Sequence, residues 1–314
     1  MNMAKAALKK IPPVIWMLAG IMLFFNFITP DYFSAQNITN ILIQSMPLMI
    51  LSFGQTLIVL TQGTDLSLGA QVSFTTVLWI YLMRAGVPIG IAAFVTLCCT
   101  ATVGIVNGLI VSKGRIPPFI ATLGMQNVLN SISLLLTFGA SIYYYHDIFQ
   151  IVTEKSLLFL PLPVWIAVLV FLATWILLYK TKFGANVFGL GGNPEALTLA
   201  GVNTVVATVK TYAYAGVIAG ISGLVTACRV ESGQPVVGVG WEFHAVAATL
   251  LGGTSLREGR GGIVGTIFGV FMIRILQNGL NVSGVSTLYQ NAIIGFIVLM
   301  AIVIDALLRR AKEA

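Results

Sequence analysis

The chain has 314 residues, of which 57% are hydrophobic and only 9% are charged. A soluble globular domain carries roughly 25% charged residues, which cover its surface against water. Together with a mean hydropathy of +0.95, this composition excludes an ordinary soluble protein with a very hydrophobic core. It predicts an integral membrane protein whose outward face is apolar.

The net charge of +7 does not indicate a nucleic-acid partner, because the basic residues lie at the edges of apolar runs. Positive residues beside membrane spans are typical of the cytoplasmic side. The clusters are Lys5, Lys9 and Lys10; Lys113 and Arg115; Lys180 and Lys182; Arg257 and Arg260; and Arg309, Arg310 and Lys312.

A helix needs about 20 apolar residues to cross the hydrocarbon of a bilayer, and the chain has about ten candidate segments. They cover residues 12–28, 41–60, 66–83, 88–111, 118–138, 161–179, 206–228, 241–251, 262–280 and 289–308. The sequence therefore predicts an all-α, polytopic membrane protein with about ten transmembrane helices. We expect a single membrane domain covering residues 1–314.

Two of these segments are ambiguous. The basic N-terminal patch and the run after it are similar to a signal peptide, but Thr29, Pro30 and Asp31 follow instead of a small-residue cleavage site, which predicts a retained span. The segment Trp241–Leu251 would be about 16 Å long as a helix, too short to span alone. It either extends back through Val236–Gly240 or is a broken or re-entrant element.

Counting ten crossings from a cytoplasmic N-terminus places every basic cluster on the cytoplasmic side. The predicted outside loops then hold only Arg84, Lys155 and Arg229 as basic residues. This bias predicts that both termini are cytoplasmic.

No metal site is predicted from the cysteines or histidines. Cys98, Cys99 and Cys228 lie in or beside apolar runs without ligand spacing, which indicates core residues rather than a disulfide or a metal site. His244 has no partner ligand nearby in the sequence. We interpret His146, which follows three tyrosines, as part of an aromatic anchor at the headgroup level.

The polar loop covering about residues 180–206 carries the signals of one short helix. Asn193 suits the N-cap, Pro194 the first helical position, and Glu195 the positive end of the helix dipole. Its apolar stripe and its C-terminal stop are Ala196, Leu199, Ala200 and Gly201. A helix of two turns is unstable alone in water, so it packs on its own protein or on a partner.

Within this loop, residues 190–193 read LGGN and residues 200–203 read AGVN. This order resembles the coupling loop of permeases in the ribose, xylose and galactoside branch of ABC sugar importers. Three further stretches resemble the same family in the same order. They are TQGTDLSLG at 61–69, IPPFIATLG at 116–124, and LLGGTSL at 250–256 with GRGGIVGT at 259–266. Arg257 and Glu258 depart from the pattern, since the family has small residues there.

The resemblance implies a permease subunit that works as a dimer, over two cytoplasmic ATPase domains, with a periplasmic sugar-binding protein delivering the substrate. It implies that the ATPase contacts this loop at Gly191, Gly192, Asn193, Pro194, Glu195, Ala196, Leu199, Gly201 and Asn203. The chain has no GxxxxGK[ST] phosphate loop. We therefore expect ATP and Mg²⁺ on the partner ATPase and no cofactor in this chain.

Polar side chains inside the predicted spans are candidates for the translocation pathway or its gate. Asp65 suits either a helix cap or a pathway role, because intramembrane acids are expensive and often functional. The amides provide a weakly polar path for a neutral sugar, or they hold helices together. The candidates are Gln44, Asp65, Ser67, Asn107, Gln126, Asn127, Asn130, Glu231, Gln234 and Asn278.

Two other classes of protein remain as alternatives. An ion-driven secondary transporter of a small polar solute would have inverted halves, paired broken helices and coupling acids in the membrane, and Asp65 is the one candidate for such an acid. A membrane enzyme would need convergent catalytic groups at membrane depth, and the sequence shows none.

Overall fold

The computed structural model describes residues 13–29, 32–256, 258–286, 289–290, 292–296 and 299–300. Its helices are α1 (Pro13–Ile28), α2 (Ala35–Leu60), α3 (Ser67–Arg84), α4 (Ile89–Ser112), α5 (Pro118–Thr137), α6 (Asp147–Glu154), α7 (Leu162–Lys180), α8 (Lys182–Gly192), α9 (Pro194–Leu199), α10 (Thr204–Val230), α11 (Trp241–Leu251) and α12 (Ile263–Val282). Two antiparallel pairs of short strands join β1 (Ile142–Tyr143) to β4 (Ser232–Gly233), and β2 (Ser156–Leu157) to β3 (Leu160–Pro161).

Six described helices are long and apolar enough to cross a membrane, namely α2, α4, α5, α7, α10 and α12. The chain is thus an all-α membrane protein, as its composition predicts. The predicted segments between residues 41 and 280 each fall on an observed helix. The last predicted span, residues 289–308, lies largely outside the described residues, as do the basic clusters near both termini.

The predicted polar loop at residues 180–206 is wrong in one respect, because it begins with a second helix, α8. The Thr181 hydroxyl caps α8 by accepting a hydrogen bond from the Phe183 N–H at 3.2 Å. Several glycines of α8 favour a loop in the sequence, but packing requires them. A Cβ on Gly184 would collide with the Leu178 carbonyl.

The predicted outside stretch at residues 139–160 also contains a helix, α6. His146 is its N-cap, and its Nδ1 accepts a hydrogen bond from the Ile148 N–H at 3.1 Å. Phe149 is buried against Trp79, with ring centroids 5.7 Å apart. His146 therefore caps α6, and Tyr143 and Tyr145 are exposed. The interpretation of these aromatic residues as an anchor at the headgroup level stays a prediction.

Helix α2 forms the centre of the bundle, and every residue from Ser45 to Leu60 is buried. It runs antiparallel to α10, because the Ser222 hydroxyl donates to the Pro47 carbonyl at 2.7 Å, while Gly54 lies against Ala215 further along both helices. Helices α7, α11 and α12 pack around the same core. This core is the frame on which the polar sites described below are built.

The short segment before α12 is a broken element rather than a continuous span. Helix α11 has only 11 residues, and the chain before it, from Glu231 to Gly240, is mostly non-helical. The Gly238 N–H donates to Ser73 Oγ at 2.9 Å, and the Gln234 N–H donates to Thr76 Oγ1 at 3.0 Å. Side chains of α3 thus satisfy backbone groups that hydrocarbon would leave unpaired.

Small residues bring α4 and α10 into close contact, as expected where lipid provides no hydrophobic force between helices. A Cβ on Gly104 would collide with the Tyr212 carbonyl, and one on Gly216 would collide with the Thr100 carbonyl. By contrast, a Cβ on Gly90, at the start of α4, would meet nothing within 4 Å.

We expect Gly104→Ala to lower the thermal stability of the purified protein, because the added methyl group forces two backbones apart. Overpacking of this kind costs about 1–3 kcal/mol. Gly90→Ala is the matched control on the same helix, and it should leave stability unchanged or slightly raised. Melting temperatures in one detergent measure both, and equal values for the two variants would contradict this packing.

Candidate functional site

Helix α9 is stabilised by local hydrogen bonds at both ends. Asn193 Oδ1 accepts from the Ala196 N–H at 2.9 Å, and Pro194 occupies the first turn. The chain then turns at Gly201, whose φ is +81°, a conformation that favours glycine. Asn203 begins the next helix, α10, by accepting from the Val206 N–H at 3.0 Å. These caps place α9 between two larger helices.

Helices α8 and α9 form a hairpin whose base is held against the ends of other elements. The Gln62 Nε2 donates to the Gly191 carbonyl at 2.6 Å. Gly191 also lies so close to the Leu60 carbonyl and to Gly259 that no side chain would fit. The hairpin thus contacts the end of α2 and the connection between α11 and α12.

The face of α9 that packs on its own protein is not the predicted stripe. Leu197 is partly buried, and its side chain lies over Gly189 of α8. Ala196, Ala200 and Leu199 are exposed, and Leu199 is 90% exposed. Glu195 is exposed beside them. The hairpin therefore presents an apolar patch with one acid outward.

A cleft of about 260 Å³ lies beside the hairpin. Its wall includes Gly63 after α2, Pro118 of α5, Pro194 of α9, and Thr208 and Tyr212 of α10. The buried Tyr212 hydroxyl has no hydrogen-bond partner among the described residues. The connection after α2 and the helices α5, α9 and α10 therefore meet at one cleft.

Asp65 lies fully buried in the connection between α2 and α3. Its Oδ1 accepts hydrogen bonds from the Ser67 N–H at 2.7 Å and from the Ser67 hydroxyl at 2.6 Å. Asn107 of α4 donates to Ser67 Oγ at 2.9 Å and more weakly to Asp65 Oδ2 at 3.4 Å. Three predicted residues, Asp65, Ser67 and Asn107, thus form one polar cluster that joins α3 to α4.

A second buried acid, Glu242 of α11, faces α3 and α5. Its Oε1 accepts from Gln126 Nε2 at 2.7 Å and from the Gly240 N–H at 3.3 Å. Its Oε2 lies against Gly69 and has no hydrogen-bond partner among the described residues. Because Gly69 follows Asp65 by about one helical turn, both carboxylates belong to the same end of α3.

The other predicted pathway residues do not form one continuous group. Gln44 and Asn127 are exposed on α2 and α5, and Asn130 is partly buried. Asn278 pairs with Asn37 through two hydrogen bonds of 2.9 and 3.2 Å. In that pair the amides hold helices together, which is the alternative that the sequence leaves open.

Glu231 and Gln234 lie in the broken element before α11. Glu231 is exposed and has a φ of +51° at the end of α10. Gln234 donates from Nε2 to Ser232 Oγ at 3.1 Å. Neither side chain reaches the Asp65 cluster through a hydrogen bond in the described part of the chain.

Sequence reasoning missed Glu242, Gly69 and Tyr212 as neighbours of the predicted residues. Glu242 lies far from Gln126 along the chain, and only the folded bundle brings them together. Its one signal is that it is an acid inside an apolar segment. Within the described ranges, no three His, Cys, Asp or Glu side chains are placed to hold a metal ion.

These features define a class of protein: a helical membrane protein with buried polar clusters between its spans and an exposed helical hairpin at one end. The chain belongs to the family described as branched-chain amino acid transport system / permease component, whose profile matches residues 37–302.

The chain is 37% identical to the ribose import permease protein of Escherichia coli strain K12 over 282 residues, covering 88% of each chain. It is 31% identical to the D-allose transport system permease protein of the same strain, over 94% of this chain and 91% of that one. It is 33% identical to the galactose/methyl galactoside import permease protein of Salmonella typhimurium, over 96% and 94%. No solved structure matches the chain significantly.

We expect Asp65→Ala to destabilise the protein by about 1–3 kcal/mol, because Ser67 and Asn107 lose a buried acceptor. Asp147→Ala is the matched control, since Asp147 is exposed in the first turn of α6. Thermal unfolding of both variants in one detergent measures the difference. An Asp65→Ala protein as stable as the control would show that this cluster contributes nothing to the fold.

Proposed function

We propose that the chain is the permease subunit of an ATP-driven sugar importer in a bacterial inner membrane. The named relatives are permease proteins for ribose import, D-allose transport and galactose/methyl galactoside import, and each alignment covers at least 88% of this chain. The observation that carries the mechanism is the exposed apolar patch of α9, supported at its base by α2. An unstable short helix with an open apolar face suits docking by another protein.

In this proposal the partner at α9 is a cytoplasmic ATPase, which holds ATP and Mg²⁺. A periplasmic sugar-binding protein delivers the sugar at the opposite end, where Glu231 and Gln234 lie. A second permease, either a copy of this chain or a related one, completes the transporter. The full chain forms one permease domain that crosses the membrane about ten times, with both termini in the cytoplasm.

The contacts at the base of the hairpin suggest how ATP hydrolysis reaches the spans. Closure of two ATPase domains moves α9, and α8 transmits that movement through Gly191 to the end of α2. The segment that follows α2 leads directly to Asp65 and Ser67 at the start of α3. A shift there changes the packing of α3 against α4, α5 and α11, and this changes which side of the membrane the pathway faces.

The two buried acids, Asp65 and Glu242, favour one alternative, an ion-coupled secondary transporter. Such a protein would drive uptake in proteoliposomes from a proton or sodium gradient alone. The importer would show no uptake until the ATPase, the binding protein and internal ATP are supplied.

Replacing Leu199 with Asp should uncouple the transporter, because the side chain is exposed and belongs to the proposed docking patch. We expect normal membrane insertion and a loss of ATP-driven sugar uptake of about tenfold or more, since buried interface anchors contribute about 2 kcal/mol or more. Uptake and ATPase activity of the reconstituted complex measure the effect.

Ile116→Asp is the matched control, because Ile116 is an exposed apolar residue in the connection between α4 and α5, on the side predicted to be cytoplasmic. It should leave coupling unchanged. Normal coupling of ATP hydrolysis to sugar uptake in the Leu199→Asp transporter would contradict the assignment of α9 as the docking helix.

The proposed orientation places α9 in the cytoplasm and residues 139–160 outside. In a variant without native cysteines, Tyr145→Cys should react with a membrane-impermeant maleimide on intact cells. Thr198→Cys should react only after the membrane is opened. Both side chains are exposed, so a reversed labelling pattern would mean the opposite orientation.

A further inference from the structure

The cleft beside the hairpin has a row of hydroxyl groups on its α10 side. Thr204, Thr208 and Tyr212 follow one another at intervals of four positions, so their side chains lie on one face of the helix. All three line the cleft of about 260 Å³. This hydroxyl row runs from the first residue of α10 toward the interior of the bundle.

The hydroxyl row differs from many hydroxyl groups of the spans, because its members are unpaired. A threonine inside a helix often donates to the carbonyl four residues earlier, as Thr211 does to Ala207 at 3.0 Å. Thr204 and Thr208 make no side-chain hydrogen bond within the described ranges. The Tyr212 hydroxyl is buried and also has no partner there. The row therefore retains three hydroxyl groups for a ligand.

The Tyr212 side chain places its hydroxyl next to the connection between α2 and α3. A Cβ on Gly63 would lie 3.0 Å from the hydroxyl oxygen, and Gly63 also lines the cleft. Gly63 stands two positions before Asp65. A buried hydroxyl without a partner lowers stability, so a ligand that bonds to Tyr212 gains an interaction that the protein alone lacks.

The remaining wall of the cleft is apolar. It includes Val111 of α4, Pro118 of α5, Leu190 of α8 and Pro194 of α9. In the described part of the chain no charged side chain lines the cleft, which disfavours a phosphate or another anion as the ligand. The volume lies just below the range of about 300–1,000 Å³ for pockets of drug-sized ligands. One neutral sugar ring, with hydroxyl groups at its edge and C–H groups on its faces, fits both this size and this polarity.

We propose that the cleft is a regulatory site that binds a neutral monosaccharide from the cytoplasm. This inference rests on the proposed import function and orientation, which place the hairpin end of the bundle on the side where the sugar is released. The sugar hydroxyls form hydrogen bonds with the hydroxyl row, and the C–H face of the ring packs on Pro118 and Pro194.

The position of the cleft predicts that the bound sugar slows import. Helices α8 and α9 supply part of the wall and α10 supplies the hydroxyl row, so a sugar in the cleft joins the hairpin to the bundle. In the proposed mechanism α9 moves when the ATPase domains close. A bound sugar opposes this movement, and uptake therefore slows as the sugar accumulates in the cytoplasm.

Isothermal titration of the full chain in lipid nanodiscs tests the binding. The probes are D-ribose, D-allose and D-galactose, with sucrose as a neutral sugar of two rings. At least one monosaccharide should bind with a Kd in the micromolar to millimolar range, whereas sucrose should not bind because it exceeds the cleft. If no monosaccharide binds, or if sucrose binds equally well, the proposal is wrong.

Tyr212→Phe and Thr208→Val each remove one hydroxyl of the row and keep the shape of the side chain. Each should weaken binding of that monosaccharide at least about threefold, as expected for one neutral hydrogen bond. Tyr212→Phe should not lower the melting temperature of the ligand-free protein, because it removes an unpaired group. Tyr81→Phe is the matched control, since Tyr81 is exposed near the end of α3, and it should not change the binding. Unchanged binding in both Tyr212→Phe and Thr208→Val would overturn the site.

Uptake by the complete transporter tests the regulation. The chain is reconstituted in proteoliposomes with its ATPase and internal ATP, and the binding protein and labelled sugar are supplied outside. Unlabelled sugar inside should slow the initial rate of ATP-driven uptake. Tyr212→Phe should raise the internal concentration that halves this rate at least about threefold, whereas Tyr81→Phe should not change it. Equal inhibition in all three proteins would mean that the sugar acts elsewhere, which overturns the proposal.

The same measurements separate a failure of this site from a failure of the import function. ATP-driven uptake that internal sugar does not slow would leave the importer standing and reject the regulatory site alone. Uptake that needs no ATPase and is accelerated by internal sugar would indicate exchange by a secondary transporter, which rejects the import function and the regulatory role with it.

Discussion

Hydrocarbon offers no hydrogen bonds, so a buried backbone or side-chain polar group in this chain destabilises the fold unless it finds a partner inside the protein. This constraint explains why the non-helical segment from Glu231 to Gly240 runs along α3. Ser73 and Thr76 accept hydrogen bonds from the N–H groups of Gly238 and Gln234. A span that is too short to cross as a helix is possible only because a neighbouring helix carries these hydroxyls at the right spacing.

The same constraint separates polar groups that are satisfied from those that are not. In the Asn37–Asn278 pair each side-chain amide donates to the oxygen of the other, and Asp65 accepts hydrogen bonds on both carboxylate oxygens. Glu242 Oε2 and the Arg274 guanidinium, by contrast, retain unpaired atoms. Satisfied groups contribute to packing, whereas unpaired ones are the places where a ligand or a movement changes the free energy most.

Local signals predicted the features whose causes are local. Asn193, Pro194 and Gly201 mark α9 because each acts on the backbone within one turn, and Trp241–Leu251 is recognisable by its length. The sequence does not predict helix α8, because its glycines disfavour a helix. Contacts with the Leu178 and Leu60 carbonyls require these glycines, and such contacts exist only in the folded protein. The Gln126–Glu242 hydrogen bond and the exposure of Asn127 likewise depend on tertiary packing.

Helix α11 carries a buried acid on one side and contacts a mostly buried arginine on the other. Glu242 of this short helix faces α3 and α5, while its neighbour Trp241 stacks on Arg274 of α12. A broken element can rotate or shift with less loss of backbone hydrogen bonding than a complete span, because its preceding segment is held by only a few side chains. Movement of α3, to which that segment is hydrogen-bonded, would therefore displace Glu242 and Trp241 together. This arrangement connects the hairpin end of the bundle to Arg274 of α12 through one helix of eleven residues.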